Sequence, residues 1–538
     1  MASTSLPRVA TDTSIGVHDY TRDGVRVAPP ARATVAADLL TWARRKPDSP
    51  YVTWCSNEGK TRILTYGELE KRSRRLAASL VAAAGPGTTV GLIPGNDLPS
   101  VVALFAALRA QTPCLILNPN DPVRRLRSIL EHHSVGTCLR SPHAGAHTAP
   151  VADVIPWDTD GADTDADTPP DPADAQSASC PALLFGTSGS TAASKVVVQP
   201  HRALTSNAEA VAELHRLDSA STLMGGLPIH HVNGVHFSLI ASLHAGAHLI
   251  LPQEISPFTY RGLLDAHRPN LASVVPTVLE GLLAAGRGWR PPDSLRYFVS
   301  AAAPLTASII ARVWNTFGVR VLQGYGLTET SNFSTKVPTD LPDEVYRAVA
   351  VDAEIPSVGI AVPGNEVEIL SADGAVLGER ERGEICMRGH NVMQGYAGRP
   401  DLTAEAFAGG WFHSGDLGYW AAAADGRRYF YITGRSKNIA KVRGETVSLE
   451  EIERALLSID AVADAGCVAL PHPTWGEQIV ALVATREELA GIRAELAGLV
   501  PPGAMPARWY VLDEIPRTAT GKLQRPRLAE LVRDRTAP

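Results

Sequence analysis

The sequence predicts an α/β protein whose ligand site lies at the carboxyl ends of parallel strands. Three observations predict it. Amphipathic helical stretches alternate with short apolar runs, several apolar runs pass straight into small polar residues, and 538 residues at 45% hydrophobic and 20% charged can bury more than one core. From Thr34 to Ala110, "LTYGELEKRSRRLAASLVAAA" carries helical apolar spacing and "TVGLIP" reads as a short buried strand, giving a layered unit with parallel strands, and a second such unit is expected to follow. Pro142 to Ser179 is rich in Asp, Pro and Ala and is expected to contain an exposed linker. After it, "PALLFGTSGS", "LASVVPTVLEGLL", "SLRYFVSAAAP" and "VRVLQGYGLTET" each end an apolar run in small polar residues, which is where open α/β sheets bind ligands. Around Gly359 to Tyr396 shorter strands and turns predict a β subdomain, and a last compact unit begins near Arg435.

Composition excludes several classes. A net charge of -6 and a pI near 6.3 argue against a nucleic-acid partner, which would need a strongly basic face. Cys55, Cys114, Cys138, Cys180, Cys386 and Cys467 lie far apart with no CxxC pair, so neither a disulfide framework nor a zinc site is expected, and a reduced cytoplasmic location fits. The start "MASTSLPRVATDTSIG" lacks the charged-then-apolar order of a secretory signal, and no apolar stretch is long enough for a membrane span.

The stretch "FGTSGSTAASKVVVQ", Phe185 to Gln199, has the densest chemistry. Thr187, Ser188, Ser190 and Thr191 offer hydroxyls, Gly186 and Gly189 free backbone NH groups, and Lys195 adds a cation: a cradle for phosphate oxygens. The same composition also suits a polar surface turn. It is neither a GxxxxGK[ST] P-loop nor a GxSxG nucleophile elbow.

Ordered motifs decide between these. "LTYGEL" (Leu64 to Leu69), Phe185 to Val197, "LPIHHVNG" (Leu227 to Gly234), "SAAAPL" (Ser300 to Leu305) and "GYGLTET" (Gly324 to Thr330) come first. "GWFHSGDLG" (Gly410 to Gly418), "GRSKNIAKVRGETVSLEEIE" (Gly434 to Glu453) and "PRTATGK" (Pro516 to Lys522) follow. In order and spacing they resemble the adenylate-forming enzymes: acyl-CoA synthetases, stand-alone peptide-synthetase adenylation domains and luciferases. The resemblance implies a large N-terminal AMP-binding domain over residues 1–433 and a small mobile α+β C-terminal domain over 434–538. It implies that a carboxylic acid reacts with ATP, aided by Mg2+, to give acyl-AMP, and that the acyl group then passes to coenzyme A.

The resemblance also implies roles, residue by residue. Lys522 matches the catalytic lysine, Glu329 the magnesium-holding acid, Asp416 the acceptor of both ribose hydroxyls and Arg435 its partner at the ribose and phosphate edge. Thr187, Ser188, Gly189, Ser190, Thr191 and Lys195 occupy the phosphate loop. Tyr325 is expected against the adenine, with Ala301, Ala302, Ala303 and Gly324 in the floor and Gly326 and Thr328 completing the nucleotide segment. His231 falls near the carboxylate and acyl pocket, and His230 replaces an aromatic residue common there, which hints at an unusual pocket or entrance. Lys437 matches the hinge residue, Lys441 a residue near the adenylate in the second half-reaction, and Gly444 and Glu445 the segment lining the thiol tunnel. Asn438 stands where an acid is usual.

The sequence departs from the pattern at Ala192, Ser194 and Val196, where Gly, Pro and Gly are usual. Side chains at Ala192 and Val196 are expected to restrict folding of the loop over the phosphates. Two alternatives to an acyl-CoA ligase follow: a thiol-transferring enzyme using preformed acyl-AMP with weak adenylation of its own, or a stand-alone enzyme loading a carrier protein. Aromatic, fatty and polycyclic acids all suit the motifs.

Overall fold

The computed structural model describes residues 16–536 except 23–24, 30–33, 86, 111, 157–177, 187–194, 286–287, 302–304, 443–444, 473 and 519–520. Its centre is the helix Leu98–Arg109, whose twelve residues are all buried. A helix apolar on every side must be covered on every side. Asp97 caps it by accepting from the Ser100 amide at 2.8 Å. The neighbouring helix Tyr66–Ala84 begins with a capping box in which Thr65 and Glu68 satisfy each other's amides.

Among the described residues, one seven-stranded sheet runs, in order, Gly395–Tyr396, Val196–Pro200, Pro181–Gly186, Cys114–Ile116, Val90–Ile93, Cys138–Arg140 and Asp153–Val154. A nine-stranded sheet has a parallel interior formed by Arg320–Tyr325, Tyr297–Ser300, Leu271–Val274, Thr222–Met224, His248–Pro252 and Pro50–Cys55, with antiparallel strands at both edges. Three of the four predicted strand-then-loop segments, Leu271–Val274, Tyr297–Ser300 and Arg320–Tyr325, are therefore neighbours in one sheet, and the fourth, Pro181–Gly186, belongs to the other. The expectation of two successive units is corrected: Pro50–Cys55 pairs with His248–Pro252, far along the chain, whereas Val90–Ile93 belongs to the other sheet. Five of the six residues of Pro50–Cys55 are buried, the pattern of an interior strand that needs partners on both sides, and periodicity does not say which partners.

Two further corrections concern boundaries. The first part of the predicted linker is structured, with a short 3-10 helix at Ala146–Thr148 and an edge strand at Asp153–Val154, anchored by buried Thr148 and Ile155. The remaining acidic stretch, 157–177, lies outside the described residues. The β subdomain consists of the antiparallel strands Asn365–Leu370, Gly383–Gly389, Phe412–Ala422 and Arg428–Arg435, so it reaches past Tyr396, while Gly395–Tyr396 joins the seven-stranded sheet.

The turn Ser436–Asn438 then leads into the last unit. Here Ile439–Val442 and Glu445–Ser448 form a hairpin beside Gly476–Ala484, Asp464–His472 and Arg508–Val511, with the helices Leu449–Leu457, Leu489–Ala497 and Arg525–Thr536 packed against them. Separate apolar clusters around Ile452 and Leu528 give this unit its own core.

Buried histidines predict an acid sensitivity. His201 and His236 are 0% and 1% exposed, and burial pulls their pKa values down to about 4 and about 3. The unfolded chain then binds more protons below the ordinary histidine pKa, so stability falls as the pH drops from about 6.5 towards 4, by about 3 kcal/mol for each ring. Urea melts at pH 7 and pH 4.5 should show a much lower midpoint at the acid pH, and His236→Gln should flatten the difference.

Candidate active site

The strand Arg320–Tyr325 delivers Tyr325 to the cleft, and the turn Thr328–Thr330 places Glu329 just beyond it. Gly326 lets the chain turn there, since a Cβ at this position would lie 1.6 Å from the Asn332 carbonyl oxygen. The Tyr325 hydroxyl donates to Asp416 Oδ2 at 2.6 Å, and Arg435 Nε lies 2.6 Å from Asp416 Oδ1. Asp416 and Arg435 are cross-strand partners in the hairpin of the β subdomain. Burial raises the Asp416 carboxyl, and Arg435 and the Tyr325 hydrogen bond oppose the rise. Two bonded oxygens still leave lone pairs for two further donors.

A network that sequence reasoning missed holds Asp416 in place. Ser414 Oγ donates to the Ile385 carbonyl and accepts from the Asp416 amide, while Glu384 accepts from the Gly415 amide at 2.8 Å and pairs with His413 at 2.8 Å. Gly415 turns at φ 72°, a conformation that favours glycine.

Tyr396 was also missed. Its hydroxyl donates to Glu329 Oε1 at 3.0 Å, and Lys195 Nζ lies 4.6 Å from its ring centroid. One ring thus joins the cation at the end of the phosphate loop to the carboxylate after "GYGLT". No local sequence signal marks it: the link becomes visible through the pairing of the short strand Gly395–Tyr396 with the strand following Lys195. Tyr396→Phe is expected to raise the Mg2+ concentration for half-maximal activity about tenfold with little change in fold, because one hydrogen bond to a charged group is worth about 1.5–3 kcal/mol. A magnesium titration at saturating ATP checks it.

His231 is largely enclosed, and burial together with the charge of Lys522 pulls it down to about 4. His230 packs on it with ring centroids 4.3 Å apart and is pulled down to about 3 by burial and by His231. Both rings are therefore neutral at pH 7. Gly234 permits this tight turn, since a Cβ there would meet the Pro228 carbonyl oxygen at 2.2 Å.

Lys522 arrives from the last unit. The loop carrying it is closed by the Thr518 amide on the Lys522 carbonyl at 2.8 Å, by Gly521 at φ 82°, and by Arg517, which pairs with Asp464 at 2.6 Å. The side chain stays open to solvent, and the charged groups of the large unit act on its ammonium. Burial lowers its pKa, Arg435 lowers it further, and Asp416 and Glu329 oppose the shift. Groups from Lys522, Asp416, Arg435, Glu329 and His231 thus meet electrostatically across hundreds of residues of chain.

The remaining predicted residues divide as follows. Gly324 is buried beside Tyr325, Ala301 follows the strand Tyr297–Ser300, and the Thr328 carbonyl accepts from Gln199. Lys437 sits in the turn Ser436–Asn438, and Asn438 donates to Glu450, where an acid would repel that carboxylate. Lys441 lies exposed on its hairpin, its amide bonded to Glu477, and Glu445 begins the opposing strand. Val196 is not a loop residue: it pairs with Gly186 in the ladder and is 2% exposed, so its side chain fills the core. Thr187, Ser188, Gly189, Ser190, Thr191, Ala192, Ser194, Ala302, Ala303 and Gly444 lie outside the described residues.

The AMP-binding enzyme family matches residues 39–397, and the AMP-binding enzyme C-terminal domain matches residues 451–522. The chain belongs to the AMP-binding enzyme family. This AMP-binding enzyme is 31% identical over 528 residues to the sulfoacetate–CoA ligase of Cupriavidus necator, covering 94% of this chain and 99% of that protein. It resembles ATP-bound MatB from Rhodopseudomonas palustris with a TM-score of 0.80 at 26% identity, over 94% and 100% of the two chains. Apo MatB superposes less closely, at 0.70, so the present arrangement is nearer to the ATP-bound form of that enzyme. The o-succinylbenzoate CoA synthetase of Bacillus subtilis in complex with its acyl-adenylate intermediate gives 0.79 at 26% identity, over 91% and 97% of the chains. Among the described residues no helix is long and apolar enough to cross a membrane.

Proposed function

We propose that this chain is an AMP-forming ligase that joins a carboxylic acid to coenzyme A, with residues 1–433 as the nucleotide-binding domain and 434–538 as the moving one. The observation that carries this reading is the convergence of Lys522 from the small unit on Asp416, Arg435 and Glu329 of the large one.

The first half-reaction brings a carboxylate to an already anionic α-phosphate, so its barrier is largely electrostatic. Lys522 offsets that charge, and the carboxylates of Asp416 and Glu329 favour its charged form. Asp416 holds the ribose hydroxyls, oriented by Arg435 and Tyr325, and the Tyr325 ring, Gly324 and Ala301 to Ala303 pack against the base. Thr187, Ser188, Gly189, Ser190, Thr191 and Lys195 cradle the phosphates. Glu329 suits a hard cation, because its carboxylate is held by the Tyr396 hydroxyl; magnesium bound there would neutralise phosphate charge. Neutral His231 lines the approach of the acid.

In the second half-reaction Lys522 withdraws by rotation about Lys437, and Lys441, Gly444 and Glu445 on the hairpin take its place beside the thiol. The coenzyme A ligases and synthetases among the relatives support free coenzyme A as acceptor over a carrier protein. Six free cysteines, five of them buried, support a reducing cytoplasmic location.

The test is a mixture of ATP, Mg2+, coenzyme A and a panel of carboxylic acids, with AMP and thioester measured together. Equal amounts of both, dependent on the acid, are expected. Thioester formed only on a pantetheinylated carrier would overturn the choice of acceptor, and absence of AMP with every acid would overturn the reading.

A further inference from the structure

Glu329 is held by one segment of the large unit, and a second segment, at the start of the described chain, holds that one in turn. The grip on Glu329 comes from residues 389–396. The Met393 amide donates to the Glu329 carbonyl at 2.7 Å, and the Tyr396 hydroxyl donates to the Glu329 carboxylate. Between them Asn391 donates from Nδ2 to the Thr330 carbonyl at 3.0 Å, and its own carbonyl accepts from the Ser331 hydroxyl at 2.9 Å. Main chain and side chain of Glu329 are thus fixed by a single stretch. Residues 390–394 of that stretch belong to no strand, so contacts other than ladder pairing set their path.

Several of those contacts come from residues 16–22 and 25–27. The Val17 carbonyl accepts from the Gly389 amide at 2.9 Å, His18 Nε2 donates to the Met393 carbonyl at 2.8 Å, and His390 Nε2 donates to the Val27 carbonyl at 3.1 Å. Met393 therefore gives its amide to Glu329 and offers its carbonyl to His18. Val17 is 8% exposed and shares an apolar cluster with Met393, Tyr396 and Tyr325. The His18 ring meets Phe407 edge on at 5.7 Å, and Tyr20 meets His390 in the same way at 5.9 Å. The strap is anchored further along: the Thr21 amide and hydroxyl both donate to Glu366 Oε1, at 2.7 and 2.6 Å, and Arg388 pairs with the other oxygen of Glu366 at 2.6 Å. Its strands Thr21–Arg22 and Val25–Arg26 pair only with each other, and a ribbon of two strands has little stability of its own. Its order comes from docking, and its effect falls on what it docks against.

We propose that His18 and the strap around it position Glu329 and Tyr396 for magnesium and the phosphates, so that adenylation depends on the strap and thiol transfer does not. The proposal rests on the ligase reading above, and within it on Glu329 as the metal-holding acid. His18 is a positioning residue that acts through Met393. Outer partners of a metal ligand set its aim, and their loss weakens metal binding where the fold survives. Transfer from acyl-adenylate to the thiol releases AMP and has no β- or γ-phosphate to hold, so it lies outside the strap's reach.

Calorimetric titration of ATP with Mg2+ and of AMP without metal, in wild type, His18→Ala, His18→Gln and Thr21→Val, tests this. His18→Ala should lower the affinity for ATP with Mg2+ about three- to tenfold and leave that for AMP unchanged. It should raise the Mg2+ concentration for half-maximal pyrophosphate exchange by a similar factor, with transfer from a supplied acyl-adenylate to coenzyme A retained. His18→Gln keeps an NH donor for the Met393 carbonyl and should lie nearer to wild type. Thr21→Val loosens the anchor without touching residues 389–396 and should shift binding in the direction of the alanine variant. Unchanged binding of ATP with Mg2+ in both His18→Ala and Thr21→Val overturns the proposal and leaves the ligase reading standing, as does equal weakening of ATP and AMP or equal loss in both half-reactions. No pyrophosphate exchange by wild type with any acid overturns the ligase reading and the proposal with it.

Discussion

Lys522→Ala is expected to lower acid-dependent pyrophosphate exchange by at least about a hundredfold, while transfer from a supplied acyl-adenylate to coenzyme A falls far less. The size follows from the charge problem: a cation placed at developing negative charge is worth about 2.7–4 kcal/mol. The asymmetry follows from the proposed domain rotation, which carries the loop held by Thr518, Gly521 and Arg517, and Lys522 with it, away from the adenylate. Lys522→Arg keeps a cation and should retain more exchange than alanine. It should also remove the alkaline limb of the pH profile: burial and Arg435 lower the pKa of Lys522, so the wild-type rate should decline at lower pH than an ordinary lysine would dictate. Equal loss in both half-reactions would contradict the assignment of Lys522 to adenylation.

Asp416→Ala should weaken ATP and AMP binding by about a hundredfold or more with a smaller change in kcat at saturating ATP. Two hydrogen bonds from ribose hydroxyls to a carboxylate account for that loss at about 1.5–3 kcal/mol each. Arg435, with half of its side chain open to solvent, tolerates loss of its partner, so the fold should survive. Calorimetric titration with AMP, alongside a thermal melt, separates lost binding from lost structure. An unchanged AMP affinity would remove Asp416 from the nucleotide site.

Much of this site was legible because its residues sit in contiguous motifs: Glu329 in "GYGLTET", Asp416 in "GWFHSGDLG", Lys522 in "PRTATGK". The strand-then-loop pattern likewise picked out Leu271–Val274, Tyr297–Ser300 and Arg320–Tyr325, which are neighbours in one parallel sheet. What the sequence concealed is pairing at long range. Tyr396 reaches Glu329 across 67 residues, Asn233 reaches Asn332 across 99, and Pro50–Cys55 finds its partner strand nearly 200 residues later. No local periodicity encodes such partners, because each depends on how two sheets share one apolar helix. Val196 shows the opposite error: aligned with a loop glycine, it is a strand residue because its apolar neighbours continue the ladder.

The most direct measurement is a crystal structure with a non-hydrolysable acyl-sulfamoyl adenosine. The ribose hydroxyls should lie on Asp416, the adenine against Tyr325 and the sulfamoyl group within reach of Lys522. Density for the compound elsewhere, or a Lys522 that points away from it in this domain arrangement, would contradict a shared adenylate site.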